Sequence, residues 1–276
     1  MIIHVSVHFV SFGAGRCAYG FALKRLRREI VKLDPDAPVW LFDESNVAEE
    51  IEGLDKSFLD FAIAHPKGFG LWVWKPWLVL EVMKKAQEGD VVFYLDAGCT
   101  VHTSPKSKLR YQQYLDHIKE HGNLFFEYGQ NEYHWTKREV IEHFQLGEED
   151  VNSGQLVGGV QGHLVSDKQR QFVEDWLRAC TMDGGRLIKD VNSRDHEDER
   201  FIGHRHDQSV LSCLVKREGF SVIPDETFYY PKWNRDGDGF PFWATRKVSG
   251  LPSWMGYYGP LAVIRGRVTR LKKSSN

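Results

Sequence analysis

The chain has 276 residues, 27% of them charged and 42% hydrophobic, the composition of a globular protein with a substantial core. Its net charge of −2 excludes a global electrostatic case for nucleic acid, so no nucleic-acid partner is expected. No apolar run approaches a membrane span, and four widely spaced cysteines without a CxxC pair fit reduced thiols in a cytoplasmic protein.

Ile2 to Phe9 reads as a first strand; it has no basic n-region and is not a signal peptide. Ser11 to Gly15 reads as a small-residue turn, followed by a helical pattern of about 18 residues. Pro38 to Phe42 is a second short strand. Pro76 suits the first turn of a helix with Trp77, Leu80, Val82 and Met83 on its apolar side and Gly89 as its stop. Val91-Val92-Phe93-Tyr94-Leu95 then reads as a strand buried on both faces, as inside a parallel sheet.

Lys108 to His121 is expected to be a helix, Asn123 to Tyr128 a strand and Thr136 to Phe144 a helix. Gln155 to Val165 is strand-like but contains Gly158, Gly159 and Gly162, which suggests a bulge or the close approach of a ligand. Ser166 to Gln169 resembles a capping box opening a helix that carries Phe172, Val173, Trp176 and Leu177. Asp183 to Arg200 reads as a long polar loop of the kind that forms lids. Asp207 to Glu218 is a helix with Val210, Leu211, Leu214 and Val215 buried and Gly219 as its stop. Strands alternating with helices predict an α/β layer fold, read as a single domain over 1–276 with a basic tail from about 265. That tail is a frayed terminus or a peripheral contact with an anionic membrane.

Three segments carry chemistry. Asp96 ends the apolar strand, where ligands bind in open α/β sheets, and Ala97 and Gly98 leave room beside it. An Asp after a strand is otherwise a turn former or a helix cap. Lys75, between Trp74 and Pro76 at a helix start, is placed to hold a phosphate or an acidic ligand. His204-Arg205-His206-Asp207-Gln208-Ser209 precedes an apolar helical stripe. Asp207 or Ser209 would cap that helix, His204 and His206 would bind zinc, or Asp207 and Gln208 would face a polar substrate. In His134-Trp135-Thr136-Lys137, Lys137 is a weaker candidate for an anionic ligand.

Lys67 to Trp77, KGFGLWVWKPW, followed by Gly89 to Cys99, GDVVFYLDAGC, resembles a signature of small bacterial and viral glycosyltransferases with a GT-A fold. The segments HWTK, QLVGGVQGHLV, EDWLRAC and HRHDQS match the rest of that pattern in order, from Ile2 to Ile223. The resemblance implies a GT-A-like, Rossmann-like mixed sheet flanked by helices. It implies sugar transfer from a nucleotide diphosphate sugar, UDP-linked, to a hydroxyl of a glycan or glycolipid acceptor. On that reading Phe9, Val10, Ser11 and Gly13 meet the nucleobase and ribose. Lys75, Asp96, Ala97, Gly98 and His206 line the donor site, and Gly158 and Gly159 let the donor sugar lie against the backbone. Asp207 and Gln208 are catalytic, Asp207 either as the base that takes the acceptor proton or as a donor-sugar contact.

The resemblance also implies a divalent cation, Mn²⁺ or Mg²⁺, with Asp96 as its ligand or as a ribose contact. Here the chain departs from the pattern. The usual metal motif is Asp-X-Asp, and this chain has Asp96-Ala97-Gly98; His206 is its last histidine; and Lys67 stands where the signature has Arg. A rival reading is a non-catalytic glycan-binding module with Trp72, Trp74, Trp135 and Trp233 as its stacking platform. A glycoside hydrolase would need a second carboxylate to pair with Asp96, and none stands out.

Overall fold

Five strands pair into the central sheet in the order β2-β1-β3-β8-β5, and β1, β2 and β3 are rich in the β-branched and aromatic residues that fill a pleated, buried surface. The five are β1 (Val7–Phe12), β2 (Val39–Phe42), β3 (Val91–Leu95), β5 (Asn123–Leu124) and β8 (Val160–Leu164). The computed structural model describes residues 5–14, 17–47, 56–191 and 193–248. The expected basic tail lies outside the described residues.

The sheet is mixed: β1 runs parallel to β2 and β3, and β8 runs antiparallel to β3 and β5. Helices α1 (Cys17–Leu33), α2 (Lys56–Ala64), α3 (Trp74–Lys85), α4 (Pro105–His121), α5 (Arg138–Phe144), α6 (Asp167–Gly185) and α7 (Asp207–Glu218) flank it. One face packs Val10, Val92 and Tyr94 against α3, α6 and α7. The other packs Phe9, Phe93 and Leu95 against Leu26 and Ile30 of α1 and Tyr111 and Tyr114 of α4. Successive residues of β1 and β3 thus serve opposite cores, which explains why β3 is an unbroken apolar run. This is the expected α/β class, a mixed sheet between helical layers.

Two small sheets complete the frame. One joins β6 (Phe126–Asn131), β7 (Gly154–Leu156) and β9 (Ile223–Pro224); the other joins β4 (Thr100–Val101) and β10 (Phe242–Trp243).

Several elements differ from expectation for local reasons. β1 continues through Ser11 and Phe12, which pair with Leu41 and Phe42, so the turn begins only at Gly13. The strand expected over Asn123 to Tyr128 splits at Phe125, leaving β5 in the central sheet and β6 in the second one. The strand expected over Gln155 to Val165 breaks at Val157-Gly158-Gly159 into β7 and β8. Thr136 and Lys137 are extended, and α5 starts at Arg138. Helix α3 stops at Lys85, with Ala86 at its cap, and Gly89 (φ +89°) turns the chain into β3. Ser166 accepts from Gln169 N, half of the expected capping box; the Gln169 side chain bonds His163 instead. The polar stretch 183–200 is anchored near its start, because Leu187 and Ile188 are fully buried. Helix α7 has the expected bounds, with Gly219 at φ +63° as its cap.

Candidate functional site

The strand order creates the site. From β1 the chain crosses to β2 on one side and then returns to β3 on the other. The strand order therefore reverses at the carboxyl ends of the parallel β1 and β3, the place where open α/β sheets receive ligands. Ser11, Phe12 and Gly13 lie at one of these ends, and Asp96, Ala97 and Gly98 at the other.

Asp96 is the first residue past β3, and its side chain is 43% exposed. The Tyr94 hydroxyl, two residues back on the same strand face, donates to Asp96 Oδ1 at 2.6 Å. Lys75 reaches the same oxygen at 3.5 Å and Asp207 Oδ2 at 3.0 Å, and its Nζ donates to the Gly158 carbonyl at 3.1 Å. Lys75 lies in the first turn of α3 and Asp207 is the first residue of α7, so two helix N-termini converge on this cluster.

Burial tunes these groups. Lys75 loses hydration, which opposes its charge, but Asp207 and Asp96 outweigh that loss and hold its pKa above the ordinary lysine value. Asp207 is only 3% exposed. Desolvation pushes its carboxyl up to about 7 against the pull of Lys75, and the nearby Asp96 charge pushes the same way. The site thus pairs an exposed carboxylate with a buried one poised near neutrality, both on one permanently charged lysine.

The glycines serve this packing. A Cβ on Gly159 would lie 2.6 Å from Asp96 Oδ2, and one on Gly158 would lie 2.9 Å from Gln208 Cβ. They give room to Asp96 and Gln208 themselves, which corrects the expectation of a bare backbone bed for the sugar. Gly98 likewise faces its own chain: a Cβ there would lie 3.0 Å from Arg246 Cα. Gly159→Ala is expected to displace the Asp96 carboxylate. Any nucleotide affinity that depends on Asp96 should drop several-fold while the fold persists, as read by nucleotide titration and circular dichroism.

Other expected site residues are placed differently. Phe9 and Val10 are buried in the two cores, so neither ring nor branch is open to a ligand. Ser11 is buried with its hydroxyl unpaired among the described residues, and Gly13 makes room for Tyr19 and Leu23 of α1. His206 is 2% exposed, sits at φ +52°, bonds the Ile188 carbonyl through Nδ1 and packs on Trp72; it is buried at the turn into α7, with Nε2 lacking a hydrogen bond among the described residues and 3.8 Å from Asp190 Oδ1. It also occupies the N-cap position, so Asp207 is not the cap. His204 has Nε2 on the Leu187 carbonyl and Nδ1 on the Lys137 amide, which leaves no ring nitrogen for zinc. Lys137 is held by the Arg186 carbonyl and Glu139 rather than aimed at a ligand.

The residues do not fit a resident divalent cation. Such an ion needs several oxygen ligands. Here Asp96 Oδ1 already accepts Tyr94 and neighbours an ammonium, position 98 has no carboxylate, and Asp207 is bound to Lys75. Among the described residues no three His, Cys, Asp or Glu side chains converge as a metal set. Among the described residues, the expected ligation of Mn²⁺ or Mg²⁺ at Asp96 has no second protein carboxylate to complete it.

Sequence reasoning missed several supports. Arg25, buried on α1, donates to the carbonyls of Ala97, Cys99 and Lys247 and locks the Asp96 turn to the segment after β10. Gln155, fully buried, accepts from both Gln208 Nε2 and Arg205 Nη1, and its own amide reaches Glu132 and Ser209. Glu132 in turn takes Ser212 and Lys216. Arg205 lies 3.9 Å over the Trp135 ring and 5.3 Å over Tyr128. Only Tyr94 carried a local signal, its two-residue spacing from Asp96.

No model of a known protein family matches the sequence, and no curated protein does. Solved structures do resemble the chain. A glycosyltransferase involved in the glycosylation of the major capsid of PBCV-1 is 12% identical, with 86% of this chain and 91% of that one covered and a TM-score of 0.48. The galactosyltransferase LgtC, in complex with donor and acceptor sugar analogs, is 13% identical, with 84% and 83% covered and a TM-score of 0.47. Mouse xyloside xylosyltransferase 1, in its apo form, is 10% identical, with 90% and 100% covered and a TM-score of 0.44.

Proposed function

We propose that this chain is a glycosyltransferase that moves a sugar from a nucleotide diphosphate sugar, UDP-linked, to a hydroxyl of a glycan or glycolipid acceptor. The observation that supports it most is the Lys75–Asp96–Asp207 cluster at the carboxyl ends of β1 and β3, beneath two helix N-termini. Departure of a nucleoside diphosphate builds negative charge on phosphate oxygens. A buried ammonium and two helix N-termini, already oriented, stabilise that charge without reorganising.

Asp96 would accept from the ribose hydroxyls, being the exposed carboxylate. Gln208, half-buried and held by Gln155, would face the donor sugar. Asp207 would take the acceptor proton, a role that suits a carboxyl raised toward neutrality. Its near-complete burial against Lys75 favours a second role, in which it positions the lysine.

The glycan-binding alternative is less well supported, although Trp72 stays half-buried against His206. Trp74 and Trp233 are buried, and the Arg205 guanidinium covers a face of Trp135. No helix among the described residues is long and apolar enough to cross a membrane.

A thermal-shift screen of nucleotides and nucleotide sugars tests the reading, followed by a product assay with the preferred donor. A stabilising nucleotide diphosphate, and a new glycosidic product, are expected. Stabilisation by free glycans with none by nucleotides would return the chain to the binding-module class.

A further inference from the structure

The missing second carboxylate of the Asp96 turn has a structural counterpart. Gly98 is covered by the backbone of the segment that follows β10. Thr245 Oγ1 and Lys247 N both donate to the Gly98 carbonyl, at 2.9 and 2.7 Å, and Arg25 holds the Lys247 carbonyl from behind. Any side chain at position 98 would collide with Arg246 Cα. The same packing that removes a carboxylate thus brings an arginine to that place.

Arg246 is mounted rigidly but left chemically open. Its neighbours on both sides are bonded to Gly98, while its own backbone is left-handed at φ +52°, and its side chain is exposed. Among the described residues it meets no carboxylate. Nor does Arg205 bond one: its guanidinium meets the neutral oxygens of Gln155 and Gln130, the rings of Trp135 and Tyr128 and the Tyr128 hydroxyl, with the Glu132 charge acting only from a distance. The two arginines are near enough for the charge of Arg246 to bear on Arg205, which burial already pushes down to about 10. Two arginines without a bonded carboxylate thus lie close together beside the Asp96 turn. Such a pair suits an anion with several oxygens, because the guanidinium fork matches phosphate geometry.

We propose that Arg246, with Arg205 beside it, holds the diphosphate of the donor in place of a divalent cation. This rests on the nucleotide-sugar reading above. It assigns the task usually given to a metal bridge to fixed side-chain cations, and it leaves Asp96 free to accept from the ribose rather than to ligate an ion. No covalent step changes: the sugar–phosphate bond still breaks toward the diphosphate, and the arginines carry the charge that develops there.

The test is titration calorimetry of the whole chain with UDP, GDP, dTDP and the matching monophosphates, in excess EDTA and again with Mn²⁺ or Mg²⁺. The preferred diphosphate is expected to bind in EDTA within about threefold of its affinity with the cation, since the described residues hold no metal set to complete. Arg246→Gly, which suits the left-handed backbone, should weaken the diphosphate about tenfold or more and the monophosphate much less, and Arg246→Lys should restore part of the difference. Diphosphate binding that disappears in EDTA and returns with the cation would overturn the inference while keeping the glycosyltransferase reading. So would wild-type affinity in Arg246→Gly. If no nucleotide binds under either condition, the wider reading fails as well.

Discussion

Asp207→Asn is expected to lower kcat by about a hundredfold or more, with nucleotide affinity nearly unchanged. Asn matches Asp in shape and removes only the charge and the proton-accepting oxygen. The fold should tolerate it. Burial outweighs the attraction of Lys75, so the folded state already favours a neutral group at this position relative to the unfolded chain. For the wild type the sign follows. A carboxyl raised from 3.8 to about 7 contributes stability that is full below pH 4 and fades as the pH climbs toward 7. Activity runs the other way, because the reactive form is ionised: kcat/KM should fall as the pH drops below about 7. Lys75→Met separates the two roles of Asp207. As a base, Asp207 without its lysine becomes harder to ionise, so the acid limb moves to higher pH. As a mere anchor for Lys75, it would give Asp207→Asn and Lys75→Met equal losses, with no further loss in the double variant. Near-normal turnover by Asp207→Asn would remove it from the chemistry altogether.

What the sequence disclosed about this site tracks how local each feature is. β3 and α7 were legible because each is a single run with one period, ended by a carboxylate or a glycine whose physics is local. Asp96 and Asp207 could be named as candidates because they stand at those ends, and the structure places both on Lys75. Gly158 and Gly159 stood out in the sequence, but the room they leave is taken by Gln208 and Asp96, which lie 50 and 63 residues away in the chain. Phe9 was misread because a strand buried on both faces gives no sign of which residues face a ligand. His206 was read as a ligand from its polar neighbours, yet its backbone turns it inward over Trp72. The Arg25 clamp and the Gly98–Arg246 contact join residues 72 to 222 apart and have no periodic trace at all.

On the proposed function, Asp96→Ala is expected to weaken binding of the nucleotide diphosphate by tenfold or more, about 1.4 kcal/mol or greater. The Asp96 carboxylate is the exposed acceptor at the end of β3, the place where an α/β sheet of this order receives a ligand. The Ala variant also strips the Tyr94 hydroxyl of its acceptor, a buried group whose orphaning costs about 1–3 kcal/mol of stability. Lost affinity could then reflect a disturbed strand end. Asp96→Asn removes that ambiguity, because the amide oxygen still accepts from Tyr94 and the side chain keeps its shape. A charge-assisted bond to a ribose hydroxyl is roughly twice as strong as a neutral one, so Asn should bind the donor more weakly than Asp but better than Ala. The same ranking should appear with nucleoside monophosphates, since the ribose is common to both. Inorganic pyrophosphate should not follow it: with the carboxylate gone, repulsion falls and pyrophosphate should bind as well or better. A wild-type donor affinity in a well-folded Asp96→Asn and Asp96→Ala pair would show that the carboxylate serves Tyr94 and Lys75 alone.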